Sequence, residues 1–307
     1  MPLLNIIPTN TSFKFMSLRK IGLFFSVTLI LISFIAIFTK GLNFGIDFTG
    51  GVLIEIRSKN ETINLTKLRD DLNKLNVGEI QLQTIGSEKD IAIRVQKYSP
   101  GQDKQLDSIK KIKSALANIE IEFRRTEYVG PKVGKELIKA GLIAVIFSLL
   151  GILFYIWLRF EWFFALGAII ALIHDVFLTI GFFSIFQFEF NLATVAAVLT
   201  IAGYSINDTV VIYDRIRETS RKYKKVIFEE IINLSLNSTL SRTLMTSLTT
   251  LLALLALFIF GGNVISSFVI ALIWGVIIGT YSSLYVASPI LLILNADKRN
   301  TSNQNEY

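Results

Sequence analysis

Six apolar stretches, each long enough to cross about 30 Å of hydrocarbon, constrain this chain more than any other feature. They are Ile21–Phe38, Ala140–Leu158, Trp162–Phe186, Leu192–Tyr213, Thr243–Phe260 and Val264–Leu294. Over 307 residues the chain is 52% hydrophobic, with a mean hydropathy of +0.55, too apolar for an ordinary soluble protein. The first stretch has a basic lead-in, Lys14, Arg19 and Lys20. Its apolar core is too long for a cleaved signal peptide and no small-x-small site ends it, so it reads as an uncleaved signal anchor. The last stretch exceeds one span and is expected to tilt or to end in the interface.

Lys and Arg are distributed unevenly among the connecting segments, and this sets the orientation. On one side lie the N-terminal segment, Arg159, the cluster Arg215, Arg217, Arg221, Lys222, Lys224, Lys225, and the tail with Lys298 and Arg299. The opposite short loops, Gln187-Phe188-Glu189 and Gly261-Gly262-Asn263, carry neither. Both termini are therefore expected in the cytoplasm. The division reads as a cytoplasmic N-terminal segment 1–20, a first span 21–39, a periplasmic domain 40–136, a five-helix region 137–294 with a basic cytoplasmic loop at 214–240, and a tail 295–307. The net charge of +7 follows from the cytoplasmic bias and argues for no nucleic-acid partner. The absence of Cys excludes disulfides and thiolate metal sites, and one His is too few for a His-based metal cluster. No metal or cofactor is expected.

The polar segment between the first two spans reads as one mixed domain. Val52 to Arg57 alternates as a strand. Asn64 is placed to cap a helix through about Leu75, with Leu65, Leu68, Leu72 and Leu75 on one face. Ile80 to Thr84 and Ile91 to Val95 alternate again, separated by Gly86-Ser87-Glu88-Lys89. Gln102 to Ala117 carries Leu106, Ile109, Ile112 and Leu116 at helical spacing, and Ile119 to Arg125 closes as a strand. The order β-α-β-β-α-β is the ferredoxin-like pattern. The expected architecture is an α-helical membrane protein of six transmembrane helices, with a small ferredoxin-like α+β periplasmic domain between helices 1 and 2. That domain is a platform for docking and names no function by itself.

Chemistry is carried by polar residues inside the spans. Asp208 lies in Ala202 to Val210, where a carboxylate costs several kcal/mol, roughly 3 on insertion scales. Arg242 stands near the start of the next apolar run, at similar depth on an antiparallel neighbour. Hydrocarbon favours the neutral acid and a nearby guanidinium favours the carboxylate, so movement of Arg242 would load or release a proton. A static ion pair is the alternative. Asn207 is read as support for Asp208. His174 and Asp175 sit near the centre of the third span, about 100° apart around the helix, as polar support or a helix–helix clamp. Thr239, Arg242, Thr243, Thr246, Ser247 and Thr250 form a polar stripe on the fifth span, either a path or hydroxyls bonded to their own backbone. Gly275 to Gly279 is a GxxxG suited to close packing. Lys225 to Leu236 is expected to lie along the inner membrane surface, with Ile227, Phe228, Ile231 and Ile232 or Leu234 on one side.

Four motifs together resemble the SecF family. They are Gly45-Ile46-Asp47-Phe48-Thr49-Gly50-Gly51, Tyr128 to Gly134, Gly203 to Thr209 followed by Asp214 to Glu218, and Leu240-Ser241-Arg242-Thr243. The resemblance runs from the first span to the sixth. It implies a place in the resistance-nodulation-division superfamily and a SecD-like partner completing a bundle of twelve spans. It implies a protein translocase subunit rather than an enzyme, in the bacterial inner membrane. The complex would draw on the proton-motive force to assist preproteins at the SecYEG channel, with YajC as a candidate further partner and membrane lipid around it. In that family the positions matching Asp208, Arg242 and Thr246 are implicated in proton coupling.

Three other readings compete. An intramembrane aspartyl protease would use Asp175 and Asp208 together. Their expected depths differ, however, and the protease signatures Gly-x-Gly-Asp and Pro-Ala-Leu are missing. A half-size proton-coupled exporter of the same superfamily is the second. A passive scaffold for the partner subunit is the third.

Overall fold

The computed structural model describes residues 11–59, 63–85, 87–96, 102–117, 119–262 and 265–294. The tail 295–307, the first ten residues, Gly86, Asn263 and the side chain of Leu106 lie outside the described residues. Two compact units are present. One contains residues up to Leu42 together with Val145–Phe188 and the chain from Ala193; the other contains Asn43–Ala144 and Glu189–Leu192.

The smaller unit begins with β1 (Asn43–Phe44) and a single helical turn α2 (Ile46–Thr49), followed by β2 (Gly51–Ser58), α3 (Leu65–Asn73), β3 (Glu79–Ile85), β4 (Ser87–Gln96), α4 (Gln102–Leu116) and β5 (Ile121–Val129). The sheet order is β3-β4-β2-β5, with every neighbour antiparallel, which is the ferredoxin-like arrangement expected from the sequence. Asn64 caps α3 by accepting from the N–H groups of Thr66 and Lys67. Leu68 and Leu72 from that helix pack with Val52, Ile54, Ile56, Ile91 and Ile93 under one face of the sheet. The closing strand runs four residues past the expected Arg125 because its pairing with β2 continues to Gly51 opposite Val129.

The other face of the sheet is also covered, which periodicity did not anticipate. Ile46 of α2 packs on Leu53 and Ala92. Beside them β6 (Glu189–Phe190) pairs in parallel with β1. There Arg94, only 4% exposed, donates to Asn43 Oδ1 and Glu189 Oε2, each at 2.7 Å. Glu55 on the same face is buried, which pushes its carboxyl upward against the attraction of Arg125. The backbone enters β2 through Gly50 at φ 70° and Gly51 at φ 127°, conformations that explain the glycine pair in the first motif.

The larger unit holds the apolar helices: α1 (Arg19–Lys40), entered by a 3₁₀ turn, Phe15–Leu18; α6 (Trp162–Phe186); α7 (Leu192–Lys222); α8 (Phe228–Phe260); α9 (Ser266–Ser282); and α10 (Ser288–Ile293). α5 (Pro131–Arg159) completes a set of six candidate spans. The long last stretch is broken by a π-helical segment, Ser283–Ala287, between α9 and α10. Such segments are rare and often lie at functional sites.

Helix boundaries and packing add detail to two of the segments read from the sequence. The basic segment 214–240 is mostly helix, since α7 runs to Lys222 and α8 starts at Phe228. The apolar side of Lys225 to Leu236 is mostly covered by neighbouring helices rather than left open, with Ile227 and Leu234 remaining exposed. Phe228, Ile231, Ile232 and Leu236 are the first turns of α8 and pack into the main core with Ile212, Tyr213 and Ile216. An apolar stripe looks the same whether lipid or a neighbouring helix covers it.

α7 and α9 join through a ladder of four steps at constant sequence offset. A Cβ on Gly275 would collide with Ile201, and one on Gly279 would press on Ser205. Thr209 and Ser283 exchange a hydroxyl hydrogen bond at 2.9 Å, and Tyr213 donates to the Ala287 carbonyl at 3.0 Å. The expected GxxxG thus serves to bring two parallel helices close. Replacing Gly275 by Leu is expected to break this seam and lower the thermal midpoint of the purified protein by more than Gly203→Leu, where a Cβ meets open space.

In the smaller unit Arg57 donates to both carboxylate oxygens of Asp90, at 2.5 and 2.6 Å, and holds that acid below its ordinary range. A depressed carboxyl stabilises the fold above its unfolded pKa of about 3.9, and that stabilisation is lost as pH falls through the lower folded value. Unfolding measured against pH should therefore show a steeper acid loss in the wild type than in Asp90→Asn.

Candidate functional site

α7 positions Asp208. Residues 201, 205, 208, 209 and 212 all lie on its buried side. Asp208 is 4% exposed, and its Oδ2 has no hydrogen-bond partner. Asn207, one residue earlier, is exposed. An unpaired polar atom removed from water is costly, and a membrane interior supplies no solvent to relieve it.

Arg242 is on α8, and two side-chain bonds fix how α8 runs against α7. Tyr204 donates to Ser247 Oγ at 3.4 Å, and Arg215 donates to Ser238 Oγ at 2.8 Å. Asp208 is four residues beyond Tyr204, and Arg242 five residues before Ser247. At 1.5 Å per residue the two groups stand within about one turn of each other in height. Arg242 is the cation that acts electrostatically on Asp208. No hydrogen bond or ion pair joins them among the described residues, and the Arg242 side chain is exposed. The arrangement is a carboxyl and a guanidinium at one level, out of direct contact.

The hydroxyl stripe of α8 divides into two kinds. Thr246 donates to the Thr243 carbonyl at 2.9 Å and Thr250 to the Thr246 carbonyl at 2.8 Å, so both are satisfied by their own helix. Thr239 likewise bonds back to Ser235. Thr243 is 1% exposed. Ser247 reaches across to Thr280 at 2.7 Å and receives Tyr204, so it ties α7, α8 and α9 together.

His174 and Asp175 form a second polar centre. Asp175 is fully buried. His174 Nδ1 meets Asp175 Oδ1 at 2.8 Å. Ser205 and Ser282 both donate to Asp175 Oδ2, at 2.5 and 2.7 Å. The acid therefore sits where α6, α7 and α9 meet, with three partners. His174 Nε2 is buried without one, and its ring lies 6.3 Å from that of Tyr281. Adjacent side chains leave a helix in different directions, yet these two meet, with His174 at Oδ1 and the serines at Oδ2. Its oxygens are occupied and no hydrogen bond links it to Asp208, which does not suit two acids sharing one proton over a water.

Ser205, Thr209, Ser282, Ser283 and Tyr213 were not singled out from the sequence. For Ser282 and Ser283 the signal was a run of hydroxyls in an otherwise apolar last span, Tyr281-Ser282-Ser283, at the start of the π segment. Satisfied and unsatisfied acids should behave differently. Asp175→Ala removes three hydrogen bonds worth about 1 kcal/mol each and is expected to destabilise the protein by about 3 kcal/mol. Asp208→Asn exchanges one buried polar group lacking a partner for another of the same shape, and is expected to change stability by about 1 kcal/mol or less. Chemical denaturation of the purified variants checks the ranking.

Known proteins match this chain in sequence and fold. The family described as "Protein export membrane protein SecD/SecF, C-terminal" matches residues 108–297, and the "SecD/SecF GG Motif" matches residues 35–61. The chain is 52% identical over 293 residues to the protein translocase subunit SecF of Rickettsia bellii, covering 94% of this chain and 96% of that one. It is 51% identical over 291 residues to the SecF subunit of Rickettsia rickettsii, covering 94% of each. A crystal structure of SecDF, a translocon-associated membrane protein from Thermus, superposes with a TM-score of 0.85 at 34% identity, over 95% of this chain and 40% of that chain. A second SecDF structure, in a super-membrane-facing form, gives 0.69 at 33% identity, over 96% and 40%. This chain thus spans 40% of the length of the two solved proteins.

Proposed function

The chain belongs to the SecF family of multi-pass protein translocase subunits, and from that premise we propose that it is the SecF-like half of a SecDF complex that uses the proton-motive force to assist preproteins through the SecYEG channel. The observation that carries the proposal is Asp208: buried, with an oxygen lacking a partner, and level with Arg242 without touching it. A fully paired acid would be a structural clamp, as Asp175 is. An unpaired one is free to exchange a proton when a cation approaches or withdraws.

In this reading Asp208 carries the proton and Arg242 is the mobile countercharge. Thr246 and Asn207 stand beside them. Thr246 is half-buried and lends its hydroxyl to its own helix at rest. Asn207 is exposed on α7, where a second subunit could reach it. His174 and Asp175 are support, holding α6, α7 and α9 in register, and Thr243 and Thr250 are support within α8. The proposed partner is a SecD-like subunit, consistent with a chain that matches 40% of the solved SecDF proteins. The inner membrane, with both termini in the cytoplasm, is the proposed setting, in line with the Lys/Arg asymmetry. YajC and the channel itself are further proposed contacts.

The test is complementation of a strain depleted of this subunit. Asp208→Asn is expected to assemble with the partner and to lose the part of preprotein export that a protonophore abolishes in the wild type. Arg242→Gln should show the same loss. Export at the wild-type level by assembled Asp208→Asn would leave the protein a passive scaffold.

A further inference from the structure

One mouth of the larger unit carries a charged groove that the Asp208 site does not use. It has a volume of about 600 Å³ and is lined by Arg159, Asp214, Arg217, Glu218, Arg221 and Lys222. Its floor is rigid. Arg159 donates to both oxygens of Asp214 at 2.7 and 2.6 Å, and Arg217 approaches the same carboxylate at 3.6 Å. Both guanidiniums lie against the Phe160 ring, 5.1 and 5.7 Å from its centroid. Glu218 is engaged at 2.6 Å by Arg215, which is outside the lining.

Four cations against two carboxylates leave a surplus of two positive charges. That surplus is at Arg221 and Lys222. Both are exposed, and neither makes an ion pair or hydrogen bond among the described residues. Lys222 lies over the neighbouring Tyr223 ring.

The groove is at the level where two candidate spans end and begin. α5 stops at Arg159 and α6 starts at Trp162. Trp157, Leu158 and Trp162 beside it are 66%, 65% and 64% exposed. Indole side chains at a span end mark the headgroup level of a bilayer. Exposed apolar side chains next to Arg159 and unpaired positive charge at Arg221 and Lys222 thus adjoin one groove. A zwitterionic headgroup would bring its own cation against Arg221. An anionic one would not, and its phosphate suits the fork of a guanidinium.

The geometry points to a binding site for the phosphate of an anionic phospholipid, held by Arg221 and Lys222 over a floor of Arg159 and Arg217. The site is independent of proton coupling, so it stands or falls separately from the role of Asp208.

The test reconstitutes the protein, with the partner that co-purifies, in phosphatidylcholine vesicles containing phosphatidylglycerol brominated on its acyl chains. Trp157 and Trp162 report occupancy as the part of the quenching that is lost in W157F/W162F, with Trp274 and the partner's tryptophans as the remaining background. Wild type is expected to be quenched at a lower mole fraction of brominated phosphatidylglycerol than of brominated phosphatidylcholine. R221Q/K222Q should weaken that preference by about fivefold for each charge removed. K224Q/K225Q removes the same charge outside the lining and should stay near wild type. Equal quenching by the two lipids overturns the proposal. So does an equal effect of the two double variants, which would mean diffuse attraction. Displacement by millimolar inorganic phosphate assigns the groove to a free anion and overturns it too. A preference seen only after the partner is stripped away assigns it to an acidic segment of that partner, with the same consequence.

Discussion

Asp175 is the fixed point of the membrane bundle. A carboxyl with no exposure to solvent is tolerable only where donors surround it, and here His174, Ser205 and Ser282 bring them from three helices. Satisfying one acid therefore locks α6, α7 and α9 in register. The ladder from Ile201–Gly275 to Tyr213–Ala287 follows from that register, because small residues and hydroxyls fall opposite one another at every turn. The π segment begins within this ladder, and Ser288 bonds back to the Ser283 carbonyl across it at 2.8 Å.

Against that rigid background Asp208 is distinguished by what it lacks. It shares the buried face of α7 with Ser205 and Thr209, both of which are bonded across to neighbours. Its own Oδ2 is not. Two acids on consecutive spans thus have opposite characters, set by the groups around them rather than by residue type. One binds the bundle together; the other is held near a cation in a place where gaining or losing charge has a large energetic effect. The hydroxyls of α8 fit the same division. Thr246 and Thr250 are occupied by their own helix, while Ser247 links three helices.

The smaller unit shows a comparable reliance on buried charge. Its sheet presents one face to α3 and α4 in the ordinary ferredoxin-like manner. The second face is covered at its central strands by α2 and the β1–β6 pair, with Arg94 and Glu189 paired there. Charged residues on a covered face need partners, and the Arg94–Glu189 contact, 5% and 17% exposed, supplies one.

Much of this was legible in the residues. Six apolar runs give six spans, because length and composition alone decide whether a helix can cross hydrocarbon. Alternation and the Asn64 cap give the order β-α-β-β-α-β, and GxxxG gives a close helix contact. These are local signals with a fixed period. The sequence also marks Asp208, Arg242, His174 and Asp175 as costly and therefore worth explaining. What it leaves open is which neighbour each one meets. An apolar stripe at 228–236 does not say whether lipid or α7 covers it, and a serine at 282 does not say that it will hold Asp175. Only the packing of distant helices decides partners, since a hydrogen bond between residues 107 apart in the chain depends on three dimensions and has no period to read.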